Sequence, residues 1–63
     1  MQLLEDFTGK CRNVQYDYSL YCTDSEFILE SYLEDEVMDR VTWYKNSTNY
    51  KLILSLIETI KTR

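Results

Sequence analysis

TDSEFILESYLEDEVMDR, residues 23–40, is the stretch on which the fold turns. Its opening, Thr23-Asp24-Ser25-Glu26, has the form of a capping box. There the threonine oxygen accepts from the amide three residues on, and the glutamate reaches back to the threonine amide. Asp24 and Glu26 would then lie in a first turn, where the helix dipole favours anions. Ile28, Leu29, Tyr32 and Leu33 follow at i, i+1, i+4 and i+5, an apolar helical face. The reading is an acidic helix over about 24–40. After Leu33 the phase slips, because Val37, Val41 and Tyr44 form a second stripe. At about 100° per residue this stripe is rotated from the first, so the helix must bend near Glu34-Asp35-Glu36 or use two faces. Val41-Thr42-Trp43-Tyr44 also has strand propensity.

On the N-terminal side, Val14, Tyr16, Tyr18, Leu20 and Cys22 alternate with Gln15, Asp17, Ser19 and Tyr21, the period of a half-buried strand. Leu3, Glu5 and Phe7 alternate before it, and Thr8-Gly9-Lys10 reads as the turn between two strands because glycine takes positive φ freely. A β-hairpin over about 2–22 follows. On the C-terminal side, Asn46-Ser47-Thr48-Asn49 is a polar connector. Lys51, Ser55, Glu58 and Thr62 then fall at helical spacing, within Tyr50, Leu52, Ile53, Leu54, Leu56, Ile57 and Ile60. That predicts a helix over about 48–61, with Lys61 and Arg63 suited to its C-terminus. The expected fold is α+β, one domain over 1–63, with the N-terminal antiparallel hairpin packed on two helices. The alternative is ββαββ with a second hairpin at about 41–57.

The charges are unevenly spread. Eleven acidic and seven basic residues give a net charge of −4. Residues 1–12 sum to zero, residues 13–39 to −8 without a single Lys or Arg, and residues 40–63 to +4. A direct nucleic-acid binder ordinarily carries the opposite balance, a basic stripe. No apolar run reaches membrane-spanning length, and the start lacks the features of a signal peptide. A cytoplasmic location is expected, with Cys11 and Cys22 as free thiols. Asn46-Ser47-Thr48 matches the glycosylation acceptor pattern, which has no meaning in that compartment.

Catalytic and metal chemistry find little footing. The chain has no histidine, two cysteines and one glycine. That excludes an imidazole base, a Cys–His dyad, a structural zinc site and a phosphate-cradling loop. The run from Asp24 lacks the ligand alternation and central glycine of an EF-hand. No cofactor and no metal are expected.

The acidic run is the informative feature. On a helix, Glu26, Glu30 and Glu34 form one row and Asp35 and Asp39 another, with about 6 Å of rise between successive carboxylates. Like charges at that spacing cost a helix a few tenths of a kcal/mol each, roughly, and nothing basic relieves them. A cationic partner surface is a physical motive for tolerating the repulsion. The first expectation is therefore a small non-enzymatic protein-binding module, an inhibitor or regulator. It would set Glu26, Glu30, Glu34, Asp35, Glu36 and Asp39 on a basic, nucleic-acid-binding type of surface, as a nucleic-acid mimic does. Tyr32, Trp43 and Tyr21 are the candidate aromatic anchors. By size and charge alone it resembles the small acidic inhibitors that mobile elements use against host DNA- or RNA-handling proteins. The second expectation is a homo-oligomer, a homodimer in the simplest case, joined through Leu52, Ile53, Leu56, Ile57 and Ile60.

Overall fold

In a computed structural model, which describes residues 1–62, the chain forms four strands and one helix. They are β1 (Gln2–Cys11), β2 (Val14–Cys22), β3 (Glu26–Leu33), β4 (Glu36–Tyr44) and α1 (Ser47–Lys61). The sheet is an antiparallel meander in the order β1-β2-β3-β4. The α+β class, the N-terminal hairpin and the C-terminal helix stand as expected. Arg63, assigned above to the helix C-terminus, lies outside the described residues.

The acidic helix over 24–40 is absent, and so is the ββαββ alternative: residues 26–44 are two strands. Thr23 does accept from the Glu26 amide, at 3.0 Å, as the capping motif requires. It also accepts from the Ser25 amide at 3.3 Å, and its own amide donates to the Glu26 carbonyl at 2.9 Å. That last bond folds the chain back into a strand. A threonine hydroxyl satisfies the same amide in a tight turn as at a helix start, so the local signal does not distinguish them. The phase slip after Leu33 is a second turn. Glu34 and Asp35 take φ of 53° and 65°, the left-handed pair that a two-residue hairpin loop requires.

The first hairpin turns three residues later than the glycine indicates. Arg12 and Asn13 occupy the loop with φ of 53° and 67°, while Gly9 sits within β1 opposite Tyr16. Its role is close approach. A Cβ there would fall on Ile60 Cγ2 and come within 3.0 Å of the Ile60 carbonyl oxygen. Glycine in a strand ordinarily costs about 0.5–1 kcal/mol relative to alanine. Here the sign reverses: Gly9→Ala is expected to destabilise by roughly 1–3 kcal/mol through overpacking. Urea midpoints of Gly9→Ala and of Gly9→Ala with Ile60→Ala check this, the double variant recovering part of the loss.

The helix covers one face of the sheet. Phe7, Leu20, Cys22, Phe27 and Leu29 meet Ile53 and Ile57 there, with Tyr18, Trp43 and Ile60 packed at the margin. Phe7 and Tyr18, paired across β1 and β2, stack at 5.0 Å between centroids. Tyr50 packs on Phe27 at 5.6 Å. Asn46 caps α1 by accepting from the Asn49 amide at 2.7 Å, which is the use the structure makes of the Asn-Ser-Thr triplet. At the other end Lys61 bridges to Glu5 at 2.7 Å and lies 5.5 Å from the Phe7 ring centroid. Cys11 and Cys22 are both free thiols; Cys11 pairs with Val14 and Cys22 with Gln2, at opposite ends of β2.

Candidate partner-binding face

Among the described residues, no element covers the face of the sheet turned away from α1. Pairing register lays its side chains out in rows. Asp6, Ser19, Glu30 and Arg40 form one row from edge to edge, and Thr8, Asp17, Tyr32 and Val37 form the next. Tyr21, Ile28 and Thr42 lie on the far side of the first row.

The central row is internally satisfied. Ser19 Oγ donates to Asp6 Oδ1 at 2.8 Å. Arg40 donates to Glu30 Oε2 through Nε at 2.6 Å and through its terminal nitrogen at 2.5 Å. The Tyr32 hydroxyl donates to Glu30 Oε1 at 2.5 Å. Glu30 is thereby only 6% exposed on a nominally open face. Its carboxyl is held below the usual range, first by the Tyr32 hydrogen bond and then by Arg40, against the opposing effect of burial. The Tyr32 hydroxyl is pushed in the opposite direction, above its ordinary value, by Glu30 first and by its hydrogen bond with Tyr21 second.

The expected row of carboxylates along one helix is therefore dismantled. Glu30 is committed to Arg40 and Tyr32, and Glu26 is half-buried beside the β2–β3 turn, away from the rest. Glu34, Asp35, Glu36 and Asp39 stay together, exposed, at the tip of the β3–β4 hairpin. Asp17 lies at the same end of the sheet, exposed opposite Tyr32 and one strand in from that tip, but it projects from the open face, whereas Asp39, opposite Ser31, projects from the helix side. Assigning the site to a helix left Asp17 out, although its place on the outward side of an alternating strand was readable. No salt bridge involves any of these five acids among the described residues. Lys10 and Arg12 mark the neighbouring β1–β2 tip, about two strand spacings or 10 Å away. This end of the sheet therefore has an acidic corner beside a smaller basic one.

Two of the three candidate anchors, Tyr21 and Tyr32, are brought together by their hydrogen bond, and Trp43 is set apart from them. Tyr21 and Tyr32 are half-buried on the open face, while Trp43 lies on the helix side opposite Phe27, against the core. Tyr44, at the end of β4, is the most exposed aromatic side chain at 81% and was not singled out from the sequence. The proposed self-association stripe is likewise divided. Ile53 and Ile57 are buried in the chain's own core and Ile60 packs on Gly9, so only Leu52 and Leu56 remain exposed. The described residues hold no group of three or more Cys, Asp or Glu side chains placed to bind a metal ion. No helix is long and apolar enough to cross a membrane.

Comparison with known proteins finds no family model, no curated protein and no solved structure that matches this chain.

Proposed function

We propose that the chain is a non-enzymatic protein-binding module, an inhibitor or regulator, which docks its acidic β3–β4 tip on a basic surface of a partner protein. The partner surface is of the kind that otherwise holds nucleic acid, since clustered cations are common there. One observation carries the reading. Asp17, Glu34, Asp35, Glu36 and Asp39 are exposed at one end of the sheet, and no described Lys or Arg forms a salt bridge with them. Clustered carboxylates left unneutralised raise the folded state's self-repulsion, and they supply steering and register toward a cationic surface. The tip's backbone is also fixed, being a two-residue loop between paired strands, so docking loses little loop entropy.

The test uses an oligo-arginine peptide as the cationic probe, titrated into the labelled chain. Neutralising the tip with Glu34→Gln, Asp35→Asn and Glu36→Gln together is expected to weaken binding about tenfold or more. Asparagine at 35 keeps the left-handed backbone accessible. Asp24→Asn with Glu26→Gln, at the opposite end, is expected to change affinity by less than about threefold. Raising salt until the Debye length falls from about 10 Å to about 3 Å should remove most of the wild-type affinity. Equal affinity of the tip variant and the wild type would contradict the reading.

A further inference from the structure

The second edge of the sheet, β4, offers a surface that shares Asp39 alone with the acidic tip. It is nine residues long, has no proline, and its only irregularity lies near Met38, opposite the Ser31/Tyr32 register shift. Val37, Met38 and Val41 are 45%, 52% and 41% exposed along it. An edge of this kind displays unpaired peptide groups and is a template for another strand.

Which groups point outward can be read from its end. The Lys45 amide donates to the Ser25 carbonyl at 2.9 Å, in the register that continues Tyr44 opposite Glu26 and Trp43 opposite Phe27. Antiparallel ladders alternate, so Trp43, Val41 and Asp39 direct their peptide groups to β3, and Tyr44, Thr42 and Arg40 direct theirs outward. Two further bonds agree. The Arg40 amide is taken locally by Asp39 Oδ1 at 2.9 Å, and the Tyr44 carbonyl accepts from Asn49 Nδ2 at 2.8 Å. Thr42 lies between these two local contacts.

We propose that β4 pairs antiparallel with β4 of a second copy of this chain, with Thr42 opposite the partner subunit's Thr42. A two-fold axis perpendicular to the sheet keeps each face continuous, so side chains meet only in registers that match parity. In this register Asp39 faces the partner subunit's Lys45, and by symmetry the same ion pair forms twice. Val41 faces the partner subunit's Trp43 on the helix side, and Arg40 faces the partner subunit's Tyr44 on the open side, a cation–π arrangement. Shifting by two residues either way sets Asp39 against Trp43 or Ser47, and the charge match is lost. On pairing, the Arg40 amide passes from Asp39 to the partner subunit's Tyr44 carbonyl, which has a second lone pair, and Asp39 is freed for the lysine. The result is a closed dimer with one eight-stranded sheet.

Sedimentation of the full chain at about 100 μM is expected to show a dimer, well within the range of affinities reachable by modest interfaces. Thr42→Pro removes an outward amide and no bond to β3, a position where edge strands accept proline. It should leave the circular dichroism spectrum in place and abolish the dimer. Asp39→Lys and Lys45→Asp should each weaken dimerisation roughly fivefold or more, given two cross-strand pairs per interface. The combined swap should restore it. Residues 39 and 45 are about 20 Å apart along one strand, so restoration cannot arise within a protomer. If Thr42→Pro disturbs the fold, the charge swap decides alone. A strict monomer at that concentration, or a swap that fails to restore the dimer, overturns the proposal. Neither result bears on Glu34, Asp35 and Glu36, which face no residue of the second copy's strand in this register.

Discussion

Ile53→Ala is expected to unfold the chain at room temperature. Ile53 is 0% exposed and joins both sides of the core, between the helix and Phe7, Leu20, Phe27 and Leu29 of the sheet. Truncating a buried isoleucine removes its transfer free energy and leaves a cavity, at a cost of about 2–5 kcal/mol. A core of this size supplies roughly 3–5 kcal/mol in all. The two figures overlap, so the variant has almost no margin. Leu52→Ala is the matched control: it sits next to Ile53 on the same helix, is exposed, and should cost within about 0.5 kcal/mol. Far-UV circular dichroism and amide dispersion should collapse for the first and persist for the second. Equal behaviour would mean that α1 does not pack on the sheet through Ile53.

The second large effect is at Glu30. Glu30→Ala leaves the Tyr32 hydroxyl and the Arg40 guanidinium without their shared acceptor. Breaking a fully buried ion pair costs about 3–5 kcal/mol, but the Arg40 side chain is largely exposed and can rehydrate, so about 1–3 kcal/mol is expected. The pH dependence follows from the direction of the shift. The folded carboxyl titrates below its ordinary value of 4.5, so its contribution is complete above that pH and is lost as pH falls through the lower, folded value. Glu30→Gln should flatten this acid-side loss. The Tyr32 hydroxyl has the opposite sign. It titrates above its ordinary 10.0, so its contribution is complete below that pH and disappears only as pH rises through the higher folded value. Urea midpoints across pH for the wild type, Glu30→Gln and Tyr32→Phe separate the two groups.

The ends of the chain were legible because each carries a pattern with a single structural solution. Alternation from Val14 to Cys22 fits a strand and nothing else. The polar stripe Lys51, Ser55, Glu58, Thr62 fits a helix, and the helix found, Ser47–Lys61, differs from the expected span by about one residue. The middle failed for an identifiable reason. β3 is a central strand partly buried on both faces, by the core on one side and by Arg40 and the tyrosines on the other. Its run Phe27-Ile28-Leu29-Glu30 therefore has no clean alternation, and periodicity does not separate such a strand from a helix. The turn at Glu34-Asp35 has no glycine, so the phase slip it causes resembled a bend. The like-charge repulsion that a helix would have carried was a warning. In the sheet, Glu26, Glu30 and Glu34 are no longer near neighbours.

The candidate site was half legible for the same reason. Composition and charge order located the acidic segment, and that survives as the tip Glu34–Glu36 with Asp39. Which acids stay free depends on cross-strand partners, and the Glu30–Arg40 pair spans ten residues that a helical reading places on one rod. Asp17 comes from a different strand, so only the sheet register brings it to that end of the sheet.

The acidic tip, the Glu30–Arg40 pair and the β4 edge all require residues 26–44 to be two paired strands. The direct measurement is the pattern of amide and side-chain nuclear Overhauser effects in this segment. Cross-strand contacts are expected between Leu29 and Val41, between Phe27 and Trp43, and between Glu30 and Arg40. Contacts at i to i+3 and strong sequential amide–amide contacts running through 26–39, without those pairs, would contradict this pairing.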